Sequence, residues 1–167
     1  ITIANTSTSG QAVQFINDGA NNAIQYCTIQ GVNTSTSSGT IVFSTTTGTT
    51  GNDNNIIDNC DIKDGSTLPY NAIYSLGTTT TTALNNSNNT ISNCNIYNYF
   101  AAASASTGIY LSSGNTDWTI SNNKFYQTGT RTHTTGAQHS AIWINNTSGN
   151  NFQISGNTIG YASSTGI

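Results

Sequence analysis

Four aspartates lie close together in one stretch, Asp53, Asp58, Asp61 and Asp64, with Lys63 among them. Carboxylate oxygens grouped in this way could ligate calcium, and an amine beside them could take a proton from a substrate. Arg131, His133 and His139 form a second group. Imidazoles titrate near neutrality, so this group invites acid–base work. Three cysteines, Cys27, Cys60 and Cys94, could hold a soft metal or pair as a disulfide. The aromatics Tyr74, Tyr110 and Trp143 offer flat apolar surfaces of the kind that contact sugar rings and protein partners. Which of these chemistries is open depends on what brings the residues together.

The positioning elements are read from a pattern that occurs five times. Its copies run Asn22, Ile24, Cys27, Ile29; Asn55, Ile57, Cys60, Ile62; Asn89, Ile91, Cys94, Ile96; Trp118, Ile120, Asn123, Phe125; and Phe152, Ile154, Asn157, Ile159. The central isoleucines recur every 29 to 34 residues, the spacing of a solenoid whose units bury apolar faces only by stacking on one another. A further apolar segment precedes each copy, around Val13, Val42, Ile73, Ile109 and Ile142. Short segments rich in Ile, Phe and Tyr between Gly, Asn and Ser are strand chemistry, so each turn carries three short strands. Alternation can bring Ile57, Cys60 and Ile62 all inward only if the chain bends between Ile57 and Cys60. The bend residues Tyr26, Asn59, Asn93, Asn122 and Gly156 fit that need, because Asn and Gly tolerate a left-handed backbone. The expectation is an all-β, right-handed parallel β-helix of about five turns, a single segment over residues 1–167 excerpted from a longer helix. The Thr165-Gly166-Ile167 echo of Thr107-Gly108-Ile109 supports the excerpt reading.

The spacing Asn-x-Ile-x-x-[Asn/Cys]-x-Ile resembles the repeat of right-handed parallel β-helix proteins, the pectate-lyase-like superfamily. The resemblance covers nearly the whole chain and implies the fold. It does not fix an activity, since the superfamily includes polysaccharide lyases, glycosidases, tailspikes, adhesins and proteins without catalysis. A lyase of this kind would hold calcium with carboxylates and use Lys or Arg to abstract the proton beside a uronate.

On this frame the chemical groups sort themselves. Cys27, Cys60, Cys94, Asn123 and Asn157 occupy one column and are expected to form a structural ladder, the thiols buried, reduced and without metal. A straight column does not converge on a tetrahedral ion. Asp58, Asp61 and Lys63 point outward onto a solvated face, and no second set of carboxylates joins them from other turns. Arg131, His133 and His139 lack the carboxylate pair of a glycosidase and are expected to be loop residues. The outward column Gln14, Val42, Tyr74, Tyr110, Trp143 ends in three aromatics, so Tyr74, Tyr110 and Trp143 are either a candidate ligand-binding stripe or a self-stacked aromatic ladder that braces the sheet under a covering loop. Tyr97 and Tyr126 repeat the arrangement on another strand.

Charged residues make up 5% of the chain, the net charge is -3, and the only basic side chains besides the two histidines are Lys63, Lys124 and Arg131. No basic patch is present to neutralise a nucleic-acid backbone, and no apolar run is long enough to span a bilayer. Neither cofactor nor metal is expected. The expected role is a non-catalytic segment of a large secreted or cell-surface protein, a stalk, adhesin or glycan-contacting surface, whose partners are glycans or neighbouring protein subunits. The alternative is part of a polysaccharide lyase or glycosidase. Ice binding would need a regular Thr array, and the outward column has no Thr.

Overall fold

A computed structural model describes residues 1–161 and residue 163; the Thr165-Gly166-Ile167 echo lies outside the described residues. The chain is a coil of parallel strands. A leading sheet stacks Val13–Phe15, Ile41–Phe43, Asn71–Ser75, Ser106–Leu111 and His139–Ile144. A middle sheet stacks Ala23–Gln25, Ile56–Asp58, Thr90–Ser92, Thr119–Ser121 and Gln153–Ser155. The trailing sheet holds Thr2–Ala4, Thr28–Gly31, Asp61–Asp64, Asn95–Tyr97, Lys124–Tyr126 and Thr158–Tyr161. All pairings are parallel, each strand bonding to its equivalent one coil away. Five strands in the leading sheet are separated by four stacking intervals. At about 4.8 Å per interval the leading sheet is about 19 Å deep, nearer four turns than the five expected.

The registers put the repeat isoleucines in one column, Ile24, Ile57, Ile91, Ile120 and Ile154. The trailing strands add Ile3, Ile29, Ile62, Ile96, Phe125 and Ile159. Two more inward columns come from the leading sheet: Val13, Ile41, Ile73, Ile109, Ile142, and Phe15, Phe43, Ser75, Leu111, Ile144. Coils in the middle of the stack bury these residues completely, whereas Ile154 remains 48% exposed in the last one. Burying one such side chain contributes roughly 1.5–3 kcal/mol, so neighbouring coils depend on each other for their core.

Every bend expected from the repeat takes up a left-handed backbone, with φ of 54° at Tyr26, 51° at Asn59, 53° at Asn93, 56° at Asn122 and 65° at Gly156. A second left-handed column precedes the middle strands, at Asn21, Asn54, Asn88, Asp117 and Asn151, and was not anticipated. Also unanticipated is a small fourth sheet pairing Asn86–Ser87 with Asn115–Thr116.

Asparagine amides tie the coils together inside the stack. The Asn89 Oδ1 accepts from the backbone N–H of Asn55 at 2.9 Å and from its amide at 3.1 Å, and the Asn55 Oδ1 accepts likewise from Asn22. Trp118 continues that column and closes it by donating its indole N–H to the Asn86 carbonyl at 2.9 Å. A parallel run joins Asn52 to Asn86, Asn86 to Ser75, and Ser75 to Asn115. These chains explain a polar Ser75 among apolar core columns: buried polar groups persist where each finds a partner.

Candidate functional site

The outward positions of the leading sheet align Gln14, Val42, Tyr74, Tyr110 and Trp143 in register. Tyr110 and Trp143 stack nearly parallel, 4.4 Å between centroids and 11° between planes. Tyr74 meets Tyr110 edge to face at 5.2 Å and 81°. The Tyr110 and Trp143 rings turn their faces to one another and leave their edges to solvent. Of the two readings of the column, exposed stripe or self-stacked ladder, the stacking shows the ladder, and exposure is uneven: Tyr74 is only 6% exposed, while Tyr110 and Trp143 are half-buried. Beside Tyr74, the buried amide of Asn71 donates to the carbonyls of Ser35, Thr36 and Ser38. Asn71 thereby holds that loop against the sheet. Burial in turn pushes the Tyr74 phenol above its ordinary range. Beside the rings lies a groove of about 330 Å³, its wall completed by Thr36, Ser37, Asn71, Ala105 and Thr107, with no charged side chain among the lining residues.

Tyr97 and Tyr126 stack at 4.7 Å and 8°, with the Lys63 amine 5.6 Å from the Tyr97 ring centre. Desolvation comes first in raising both phenols, Tyr126 to about 12.

The cysteine column continues into Asn123 and Asn157. Cys60 donates its backbone N–H to the Cys94 sulfur at 3.4 Å, Cys94 donates to Asn123 Oδ1 at 2.9 Å, and Asn123 to Asn157 Oδ1 at 2.9 Å. All three thiols are free. The Cys60 thiol beside it, then burial, hold Cys94 protonated. One expectation fails here: Cys27 is only partly buried.

The six carboxylates are engaged one by one. Asp58 accepts from Ser92 and Asn93 in the next coil and from its neighbour Asn59, at 2.7–2.8 Å. Its pKa is lowered, first by the Asn93 amide. Asp61 takes the Asn95 amide at 2.7 Å, Asp64 the Asn98 amide at 3.0 Å, Asp53 the Ser87 N–H at 2.7 Å and Asp117 the Asn151 amide at 2.8 Å. Asp18 accepts from Thr46 and from the Thr49 N–H, and the Thr46 bond is the first cause of its lowered pKa. Asp58 and Asp61 stand on different sheets across the Asn59 bend. Among the described residues no three His, Cys or acidic side chains gather as a metal site.

His133 and His139 meet on Tyr99 and Phe100, with Arg131 acting on His139 electrostatically; the loop expectation is corrected for His139, which opens the strand His139–Ile144. Sequence reasoning did not see these aromatic supports, whose place at the coil corner shows no periodicity. Nor did it see the second ladder of Asn22, Asn55 and Asn89, although the place of these residues at the strand starts was its signal. No family model, curated protein or solved structure matches this chain.

Proposed function

We propose that this chain is a non-catalytic rod segment of a secreted or cell-surface β-helical protein, a member of the pectate-lyase-like superfamily acting as stalk or adhesin. Its contacts run through the Tyr110 and Trp143 edges and the uncharged groove beside them. A neutral glycan chain is the partner that suits hydroxyl, amide and aromatic groups without charge. The observation that carries the reading is the engagement of all six carboxylates by neighbouring Asn, Ser and Thr groups. Lyase and glycosidase chemistry needs carboxylates turned toward substrate, and here they are turned toward the next coil.

The test pairs a binding assay with an activity assay. On a glycan array Trp143→Ala should weaken binding by roughly 2 kcal/mol, the scale of an interface anchor, with unfolding unchanged. Pectate, alginate and neutral glycans should survive incubation, with or without calcium. Release of unsaturated product, abolished by Lys63→Ala or Arg131→Ala, would establish the enzyme alternative instead.

A further inference from the structure

Three of the chain's five basic side chains, counting both histidines, are Arg131, His133 and His139, and the fold gathers them around one aromatic pair. The His139 ring stacks on Tyr99 at 5.1 Å and 20° and meets Phe100 at 5.7 Å. His133 packs on the same Phe100 at 4.8 Å. The two imidazoles thus flank one phenyl ring with centres 6.3 Å apart, a gap that two hydrogen bonds of about 2.8 Å to a single bridging group can span. Ser106 Oγ lies 2.9 Å from His139 Nδ1, which fixes the ring and leaves Nε2 for another partner. His133 Nδ1 is one of two buried polar side-chain atoms among the described residues that have no hydrogen-bond partner.

Charge decides what the partner is. Arg131 donates to Gln127 Oε1 and Asn98 Oδ1, each at 3.0 Å, and both are neutral amides, so these bonds orient the guanidinium without neutralising it. The groups that act electrostatically on His139 are His133 and Arg131; after burial, they hold its pKa below the ordinary value. The other side chains packed on the pair, Tyr99, Phe100 and Ser106, carry no charge at neutral pH. Like charges held together favour an anion and repel a metal ion. We propose that Arg131, His133 and His139 form an oxyanion site, taking a carboxylate or a sulfate- or phosphate-type group, which tightens as acidification charges the imidazoles. This site is separate from the Tyr110–Trp143 groove and does not depend on the glycan reading.

The probe is sodium sulfate, whose charge is constant over the useful pH range, followed through the imidazole proton resonances. Sulfate should shift both histidines along one saturable curve and raise the His139 pKa, with affinity at least about tenfold higher near pH 5.5 than near pH 8. Sodium acetate run alongside tells a carboxylate preference from a tetrahedral one. R131Q should weaken binding about fivefold or more, R131K should hold it within about threefold, and H139Q should flatten the pH dependence. R131K guards against a loop that merely collapses when Arg131 is lost. Equal loss in R131Q and R131K overturns the assignment, as does an identical response to chloride at matched ionic strength or tighter binding of Zn²⁺ than of sulfate.

Discussion

Asn89→Ala removes three buried hydrogen bonds and fills none of them. The Asn89 Oδ1 accepts from the Asn55 N–H and the Asn55 amide, and the Asn89 amide donates to the Asn52 carbonyl at 2.9 Å. Asn52, Asn55 and Asn89 all have 0% exposure. After the substitution the Asn55 amide keeps its bond to Gly19, so the losses that matter are the Asn55 N–H and the Asn52 carbonyl. A buried orphan costs about 1–3 kcal/mol; with part of the third bond the expected destabilisation is about 3–5 kcal/mol. Urea unfolding followed by tryptophan fluorescence would report it as a lower midpoint at constant slope. The control is the adjacent Asn88→Gly. Asn88 has φ of 53°, which glycine adopts without steric penalty, and this variant should stay within about 0.5 kcal/mol of the parent. If Asn89→Ala also stays within 1 kcal/mol or so, water replaces the amide and the ladder does not hold the coils.

Tyr26 carries a bulky side chain at φ of 54°, 73% exposed, where the other coils use Asn or Gly; Tyr26→Asn should raise stability by about 1 kcal/mol in the same assay. At Gly77 an added Cβ would lie 1.9 Å from the Gly114 carbonyl oxygen, whereas at Gly129 it would meet nothing within 4 Å, so Gly77→Ala should cost at least about 2 kcal/mol and Gly129→Ala should be neutral. A thiol reagent should label Cys27 first, with Cys60 and Cys94 reacting only at the rate of unfolding; simultaneous labelling would refute the buried column. His139 has a lowered pKa in the folded chain, so the folded state binds fewer protons. Its contribution is fully present above the unfolded histidine value of about 6.5 and is lost as pH falls toward the folded value. The protection factor of the Thr134 amide, whose N–H bonds the Ala102 carbonyl at 2.8 Å, should therefore fall on mild acidification, and H139Q should abolish that fall.

Periodicity carried the legible part of this fold. Ile57, Cys60 and Ile62 could share an interior only with a left-handed residue at Asn59, and that constraint, repeated five times, located the bends, the three sheets and the registers. The ladder positions Cys94, Asn123 and Asn157 were legible for the same reason. What lies between strands was not. Asn71 holds a loop of the preceding coil against the sheet, and His133 and His139 meet on Phe100. Neither contact recurs from coil to coil, so no pattern announces it. The Asn21, Asn54 and Asn88 column does recur. It went unread because Asn is abundant enough in this chain to hide a positional requirement.

The cross-links between coils are not spread evenly along the rod, and this gives it a graded resistance to being pulled apart end to end. Tension along the axis loads all three sheets at each boundary together, since their hydrogen bonds point that way. The boundary between the second and third coils adds Asn52 to Asn86, Asn55 to Asn89, Cys60 to Cys94, and the Asp58, Asp61 and Asp64 bonds. The boundary between the first and second is tied by Gly19 to Asn52, Asn22 to Asn55, Gln25 to Asp58, and the bonds of Thr46, Thr47 and Thr49 to Asn17 and Asp18. A stretched rod should open where a boundary carries fewer ties and hold longer at the second-to-third, yielding by steps rather than in a single rupture.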